Sequence, residues 1–283
     1  MDNLIINERL MQYTFNTVEQ EEFALKEILQ EVALYALSTT DFFSKALFQG
    51  GTALRILYHL PRFSEDLDFL LKAPDKHFKW NKYVDQMAKA FELFNIKPEI
   101  VDRSKASEPI QKLFLKDQSI GKIIHLKFHH HSQRKLLIKF EIDTNPPKGS
   151  NSEIKYVDFP LDYSILTQDL PSNFSGKCHA LLCRPYIKGR DWFDFSWYVS
   201  KRVSINFKFL GAALEQSGPW AHQGLAIKKE WLVERLLEKI KGIDWKKVKV
   251  EVEKFINDEY QNSLSLWSSE FFKSKIHKLA EYL

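Results

Sequence analysis

Apolar and polar positions follow two different periods along the chain, and the change of period predicts where helices and strands lie. Residues 18–40 carry apolar side chains at helical spacing and predict a long amphipathic helix. "KALFQGG" predicts a short strand that enters a glycine turn, and "TALRILYHL" predicts a helix that the Thr52 hydroxyl caps and Pro61 ends. "SEDLDFLL" alternates strictly, which predicts a strand with Asp66 and Asp68 on one face.

Further helices and strands are predicted along the rest of the chain. Residues 76–94 predict a helix, and strands are predicted for "KPEIVD", "GKIIHLKFHH" and "KLLIKFEIDTNPP", with "PKGSNSEIK" as a polar connection. Beyond it the pattern is helical, with a break from Pro185 to Gly189. Amphipathic helices are then predicted for residues 205–216, 227–241, 244–260 and 268–283. The chain therefore combines an α/β N-terminal half with a helical C-terminal half.

Composition narrows the class of protein. The chain has 283 residues, of which 44% are hydrophobic and 28% charged, as in ordinary globular proteins. A net charge of +4 permits binding to a polyanion without arguing for it. Two cysteines, Cys178 and Cys183, form neither a disulfide framework nor a zinc motif, which favours a reducing compartment. There is no signal-peptide pattern and no run of 18 apolar residues, so we expect a cytoplasmic protein without a membrane span.

The Asp66 and Asp68 pair is the first candidate for chemistry. Carboxylates at i and i+2 on a strand lie close together and repel each other, and a divalent cation such as Mg²⁺ relieves that repulsion. Solvated acids on an edge strand are the alternative, but the apolar neighbours favour a central strand. "IKFEIDTN" places Glu141 and Asp143 at the same spacing on another strand. If the two strands are neighbours, three or four carboxylates converge on a metal site.

The glycine turn supplies what carboxylates cannot. Gly50 and Gly51 allow close approach of the backbone to a ligand, and the following helix N-terminus favours phosphate. The pattern is neither a Walker motif nor a dinucleotide fingerprint.

A histidine-rich stretch offers a weaker candidate. "HLKFHHHSQRK" contains four histidines with two basic neighbours, namely His125, His129, His130, His131, Arg134 and Lys135. A zinc site or a phosphate contact is conceivable, but the pattern favours a solvated strand–turn tip.

Several of these motifs resemble one family. "GGTALR" followed by "RFSEDLDF" resembles the first motif of the nucleotidyltransferase superfamily, and its wording is similar to the AbiEii/AbiGii-type toxins. Those toxins are nucleotidyltransferases of bacterial type IV toxin–antitoxin and phage-defence systems. "KCHALLCR" and "KGRDWFDFSWYV" resemble the family's lysine-bearing helix and its R-D-x-x-D helix. The resemblance implies a nucleotidyltransferase-like mixed sheet flanked by helices over residues 1–165, and a helical domain over 166–283.

The resemblance also implies a role for each matching residue. Contacts to the nucleotide and its phosphates fall to Gly50, Gly51, Thr52, Arg62, Ser64 and Lys177. Metal binding falls to Asp66 and Asp68, with Glu141 as the best third acid and Asp143 as the near alternative. Catalysis falls to Asp66, Asp68, Lys177 and Asp191, with Arg190 and Asp194 in support. In this assignment the helical domain contributes Lys177 and Asp191 to the site. The competing interpretation of "RDWFDF" is a helix start whose Asp191 favours the helix dipole.

The implied activity is metal-dependent transfer of NMP from an NTP to an acceptor, with release of pyrophosphate. Mg²⁺ or Mn²⁺ is the implied cofactor, and tRNA or a protein is the implied acceptor. The resemblance also implies a separately encoded antitoxin, which need not contact the toxin directly. The rival functions are phosphoryl transfer on the same fold and a catalytically silent nucleotide-binding or interaction module.

Overall fold

The chain is described by a computed structural model that covers residues 4–105, 107–124, 126–128, 135–256 and 258–283. It divides into two compact units. The first comprises residues 1–146 and 153–167, and the second comprises residues 147–152 and 168–283.

The first unit is built on a mixed sheet. Its helices are α1 (Leu4–Met11), α2 (Val18–Ser38), α3 (Phe42–Lys45), α4 (Gly50–Tyr58), α5 (Asn81–Glu92) and α6 (Ile120–Ile123). Its strands are β1 (Ala46–Gln49), β2 (Asp66–Leu71), β3 (Glu99–Asp102), β4 (Ile110–Asp117), β5 (Leu136–Asp143), β6 (Ser152–Val157) and β7 (Tyr163–Gln168). Among the described residues these strands form one sheet in the order β3-β4-β5-β2-β1-β7-β6. The predicted mixed sheet flanked by helices is confirmed.

Strand β2 lies in the middle of this sheet. It pairs with β1 antiparallel and with β5 parallel. One face of β2 is apolar, because Leu67, Phe69 and Leu71 are buried, while Asp66 and Asp68 on the other face are only half-buried. The edge-strand interpretation of the two aspartates is therefore wrong.

An aromatic cluster anchors the apolar face of the sheet. Phe42 stacks on Trp80 with ring centroids 5.5 Å apart, and Phe69 of β2 meets Phe42 edge-on at 5.0 Å. Phe140 of β5 meets Trp80 at 5.9 Å. Fully buried aromatic side chains contribute several kcal/mol each in order of magnitude, so this face fixes both strands. The acidic positions between these residues must then face the opposite side.

Three predicted elements differ from the structure. "GKIIHLKFHH" is not a strand in its described residues, since 120–123 form α6, whereas the strand β4 lies earlier, at "IQKLFLKD". β6 begins at Ser152, inside the segment predicted as a polar connection, and α5 begins only at Asn81. β4 alternates cleanly in burial, but half of its residues are polar, namely Gln111, Lys112, Lys116 and Asp117, which disguise a strand in a composition-based interpretation.

The second unit is helical. Its helices are α7 (Leu170–Cys183), α8 (Gly189–Ser200), α9 (Phe207–Gln216), α10 (Lys229–Lys241), α11 (Trp245–Glu253), α12 (Asp258–Leu264) and α13 (Ser269–Tyr282). The helical half and its break before Gly189 are confirmed, although residues 244–260 span two helices instead of one. Phe174 of α7 stacks on Tyr198 of α8 at 4.4 Å, and Trp192 of α8 packs against Phe272 of α13 at 5.1 Å. These contacts hold α8 from both sides. In the described part of the chain, every helix is too short or too polar to traverse a bilayer.

Thr52 has a different role from the predicted helix cap. Helix α4 begins at Gly50, and the fully buried Thr52 hydroxyl donates to the Asp66 carbonyl oxygen at the start of β2. This hydrogen bond ties the helix that follows the glycine turn to the strand that carries the two aspartates.

Replacing Thr52 therefore tests how firmly α4 is tied to β2. Thr52→Val keeps the shape but removes the hydroxyl that donates to the Asp66 carbonyl, so we expect a loss of about 1–2 kcal/mol in the free energy of unfolding. Urea denaturation followed by circular dichroism measures it. Thr39→Val is the control, because Thr39 is exposed and its hydroxyl serves only the Ala36 carbonyl, and it should change stability by less than about 0.5 kcal/mol. Equal stabilities of the two variants would contradict the proposed tie.

Candidate active site

The glycine turn and the acidic strand are in direct contact. Gly50 has φ +78°, in the left-handed region that favours glycine. A Cβ atom at Gly50 would lie 2.6 Å from Oδ2 of Asp68, closer than any real contact allows. The backbone therefore approaches this carboxylate as closely as a residue without a side chain permits, and the turn places the first residues of α4 beside Asp68.

The second glycine brings two further predicted residues to the same place. A Cβ atom at Gly51 would lie 2.6 Å from Nη2 of Arg62 and 3.1 Å from Oγ of Ser64. Arg62 is only 3% exposed, and its Nη1 donates to the Phe63 carbonyl at 2.9 Å. The structure thus brings Gly50, Gly51, Arg62, Ser64 and Asp68 together.

Side chains of helix α2 form hydrogen bonds with α4 and with the segment that precedes β2. The buried Gln30 donates from Nε2 to the Ser64 carbonyl at 3.1 Å. Glu27 accepts from Nε of Arg55 on α4 at 2.8 Å, and Arg55 also donates to the Leu60 carbonyl at 3.0 Å. These bonds fasten both α4 and the segment that leads into β2 to helix α2.

Strand register puts the third acid beside the first two. Asp68 of β2 is directly opposite Glu141 of β5, and Asp66 is opposite Lys139. Because partners in register share a face, Asp66, Asp68 and Glu141 project from the same side of the sheet. Three carboxylates are therefore carried by two central, neighbouring strands.

Asp143 is placed differently. It is opposite Leu70, which lies two residues beyond Asp68 along β2 and further from the glycine turn. Its Oδ1 accepts from the Asn145 backbone N–H at 2.9 Å, and burial raises the pKa of this carboxyl against the opposing effect of that bond. Asp143 thus has the contacts of a residue that shapes the turn after β5.

Lys139 is a candidate site residue that the sequence interpretation missed. Its Nζ lies 3.1 Å from Oε2 of Glu141 and 3.5 Å from Oδ2 of Asp66. Burial lowers the pKa of Lys139, but the attraction of Asp66, Glu141 and Asp68 outweighs burial and leaves the pKa above its ordinary value. The signal was its position in "IKFEID", two residues before Glu141 on an alternating strand.

The carboxylates have the chemistry that a hard divalent cation prefers. In the described ranges, however, no three histidine, cysteine, aspartate or glutamate side chains form a ready metal cluster. Lys139 provides the positive charge between Asp66 and Glu141 instead. The donor set fits Mg²⁺ in kind and charge, since three carboxylates and one lysine leave an excess of two negative charges.

The second unit holds the other predicted charged group. Lys177 of α7 donates from Nζ to Oδ1 of Asp191 at 2.6 Å and lies 2.8 Å from Oδ2 of Asp194, both on α8. Arg184 pairs with the other oxygen of Asp191. Both carboxylates are almost fully buried. The structure therefore joins Lys177, Asp191 and Asp194 in one ion-pair network.

This network sets the protonation state of Asp191. Burial pushes the pKa of this carboxyl upward, but Lys177 and Arg184 overcome burial and hold it at about 2. Asp191 is consequently ionised under all physiological conditions. The interpretation of Asp191 as a residue that merely favours the helix dipole misses these two ion pairs.

Arg190 is engaged elsewhere. Its Nε donates to Glu251 of α11 at 3.2 Å, and its guanidinium lies over the Phe255 ring at 4.0 Å from the centroid. These contacts fasten the start of α8 to α11. The predicted tip residues His125, His129, His130, His131 and Arg134 lie outside the described residues.

Solved structures define the class of this fold. The chain is similar to MenT4, a nucleotidyltransferase toxin from Mycobacterium tuberculosis, with a TM-score of 0.53 and 13% identity over 99% of each chain. It is also similar to JHP933 from Helicobacter pylori, with a TM-score of 0.51 and 18% identity over 92% of this chain and 91% of that one. No curated protein sequence matches it. The fold is that of nucleotidyltransferase toxins.

A family model then gives the particular family. The model for "Nucleotidyl transferase AbiEii toxin, Type IV TA system" matches residues 32–271. The chain belongs to this family of nucleotidyltransferase toxins, which confirms the resemblance found in the sequence. Membership implies an NTP substrate and an antitoxin partner.

The contact between Gly50 and Asp68 can be tested directly. Gly50→Ala places a methyl group against the carboxylate and strains a positive φ, so we expect a loss of more than about 1 kcal/mol in the free energy of unfolding. Chemical denaturation measures the loss. Gly242→Ala is the matched control, because Gly242 has φ −99° and nothing within 4 Å of an added Cβ. A Gly50→Ala protein as stable as the Gly242→Ala protein would disprove the close approach.

The position of Lys139 predicts its effect on metal binding. Lys139→Met removes the positive charge between Asp66 and Glu141, so we expect Mn²⁺ to bind about tenfold more tightly in the absence of nucleotide. Electron paramagnetic resonance of free Mn²⁺ gives the dissociation constant. Lys89→Met removes an exposed lysine on α5 and should leave it unchanged. Unchanged or weaker Mn²⁺ binding in Lys139→Met would show that this lysine does not compete with the cation.

Proposed function

We propose that this protein transfers the nucleoside monophosphate of an NTP to an acceptor hydroxyl in a metal-dependent reaction. The observation that carries the proposal is the register that sets Asp68 of β2 opposite Glu141 of β5, with the Gly50 turn against Asp68. A sheet that presents acids beside a helix N-terminus suits a substrate that is both a polyanion and a metal chelate.

The turn at Gly50 and Gly51 supplies the phosphate contacts. The first turn of α4 carries the positive end of the helix dipole and favours negative charge, and neither glycine carries a side chain that would keep phosphate away. Arg62, next to Gly51, adds positive charge at the same place. The Thr52 side chain is committed to the Asp66 carbonyl, so Thr52 contributes through its backbone.

Asp66, Asp68 and Glu141 are the proposed ligands of Mg²⁺ or Mn²⁺. Register favours Glu141 as the third acid, because Asp143 lies a step further from the turn and is occupied by the Asn145 N–H. The bound metal would neutralise charge that develops on the phosphates during transfer. For its part, the chain holds three carboxylates at fixed positions and keeps Lys139 as a counter-charge.

The proposed reaction is an in-line displacement at the α-phosphorus. The acceptor oxygen forms a bond to this phosphorus as the bond to the bridging oxygen breaks, pyrophosphate leaves, and the acceptor proton passes to a base or to water. Asp191 is a poor candidate for that base, since a carboxyl with a pKa of about 2 accepts protons weakly. We assign Asp191 and Asp194 instead to holding Lys177 in place. The contact of Lys177 with the triphosphate stays a prediction.

The acceptor is proposed to be tRNA or a protein hydroxyl, and the reaction is proposed to take place in the cytoplasm, where NTPs and both acceptors occur. Type IV toxin–antitoxin membership is consistent with an antitoxin that opposes the product instead of binding the enzyme.

Labelled nucleotides test the proposal. The purified full chain is incubated with Mg²⁺ and each NTP, labelled at the α- or γ-phosphate, together with total RNA or total protein. We expect the α-label to appear in an acceptor band and the γ-label to be released as pyrophosphate. Asp68→Asn should lower transfer by about 100-fold or more, because it removes charge at the proposed metal. Asp85→Asn, an exposed change on α5, should leave the rate unchanged.

Two outcomes contradict the proposal. Label from the γ-phosphate on the acceptor would identify a phosphotransferase. Equal transfer by Asp68→Asn and Asp85→Asn, or no transfer of any NTP by the unaltered chain, would remove the catalytic assignment.

A further inference from the structure

The cation cluster of the second unit, defined as Lys177, Arg184 and Lys188, carries more positive than negative charge. Asp191 and Asp194 are the carboxylates that pair with it. Three cations against two carboxylates leave an excess of one positive charge. An uncompensated charge in a partly buried group is costly, and an anion from solution relieves the cost.

Lys177 is not the source of this excess. Its side chain is 11% exposed, and its ammonium lies between two carboxylates, 2.6 Å from Asp191 and 2.8 Å from Asp194. The positive charge of Lys177 is therefore compensated within the protein. Any further anion must be attracted by the remaining members of the cluster.

Lys188 is the first of these. It immediately precedes α8 and is half-buried, and its ammonium forms no ion pair within the ranges that the structure describes. Burial lowers the pKa of Lys188, and repulsion from Arg190, Lys177 and Arg184 adds to that effect against the attraction of Asp191. A second negative group near Lys188 would reverse this balance.

Arg184 is the second member of the cation cluster that can attract an anion. Its Nη1 pairs with Asp191, and a guanidinium carries five N–H donors, so this pair leaves further donors. The side chain is 35% exposed, whereas Asp191 is 4% exposed. Nζ of Lys239 donates to the Arg184 carbonyl at 3.1 Å and fixes the backbone at the end of α7. Arg184 is thus an anchored, accessible fork suited to a phosphate.

We propose that Arg184 and Lys188 form a phosphate-binding subsite in the loop between α7 and α8. The ligand is a phosphate group, either of the NTP polyphosphate or of the backbone of an RNA acceptor. The proposal rests on the proposed function for the identity of these two sources, but the site itself depends only on the charges of the second unit. The loop "CRPYIKGR" then acts as a substrate contact as well as a connection.

Two binding experiments without divalent cation test the subsite on the full chain. Inorganic pyrophosphate is titrated by calorimetry, and a 5′-hydroxyl oligoribonucleotide, whose phosphates are all diesters, is titrated by fluorescence anisotropy. We expect Lys188→Met to weaken at least one of the two by about tenfold, with Lys188→Arg restoring most of the affinity. Loss for pyrophosphate assigns the subsite to the nucleotide, and loss for the oligonucleotide alone assigns it to the acceptor.

Lys201→Met is the matched control, because it removes one exposed lysine just after the other end of α8. Thermal melting of each variant establishes that it is folded. Arg184→Met serves as a second probe only if its melting temperature is retained, since this change leaves Asp191 with one partner fewer. Unaltered affinity of Lys188→Met for both probes, equal to that of Lys201→Met, overturns the proposal.

Failure of the subsite and failure of the proposed function give different results. Asp68→Asn should lose nucleotide transfer and keep its affinity for pyrophosphate or oligonucleotide. If the unaltered chain transfers no nucleotide but Lys188→Met still weakens binding, the subsite stands and the function falls. If transfer is intact and Lys188→Met binds both probes normally, the function stands and the subsite falls.

Discussion

The parallel pairing of β2 with β5 is the constraint on which the candidate site depends. Because side chains alternate between the faces of a strand, a slip of one residue would turn Asp68 or Glu141 toward the aromatic core. Phe69 and Phe140 prevent such a slip, since both are buried on the apolar face among the rings around Trp80. The packing of one face thus fixes the chemistry of the other. The absence of a side chain at Gly50 completes the arrangement, because only glycine lets α4 begin against Asp68.

The two units manage charge in opposite ways. In the first, Asp66, Asp68 and Glu141 outnumber Lys139, which leaves negative charge for a cation to balance. In the second, Lys177, Arg184 and Lys188 outnumber Asp191 and Asp194, which leaves positive charge for an anion to balance. In the first unit Lys139 contacts two carboxylates, and in the second Lys177 and Arg184 pair with Asp191, so contacts between opposite charges limit the repulsion that folding must overcome.

Several structural details depend on contacts between residues far apart in the sequence, and sequence analysis missed them. The Thr52 hydroxyl reaches the Asp66 carbonyl, which made the predicted helix cap wrong. Strand β4 went unrecognised because its burial alternates while its composition is rich in lysine and other polar residues. Lys139 is two residues before Glu141 in the sequence, but a lysine on an alternating strand predicts only solvent exposure. The strand register is needed to show that Asp66 lies opposite it. The ion pair of Arg184 with the buried Asp191 was likewise visible only in the structure.

The sequence by itself determined the class of fold, the division into an α/β half and a helical half, and the family, because periodicity and short motifs are local properties of the chain. It also determined that Asp66 and Asp68 share a face, since period-two alternation needs no knowledge of neighbouring strands. Only the tertiary structure decided which residues stand opposite these aspartates. The register places Glu141 beside Asp68 and Asp143 beside Leu70. It also places the Lys139 ammonium between Asp66 and Glu141. That choice rests on strand pairing and core packing, which no local pattern encodes.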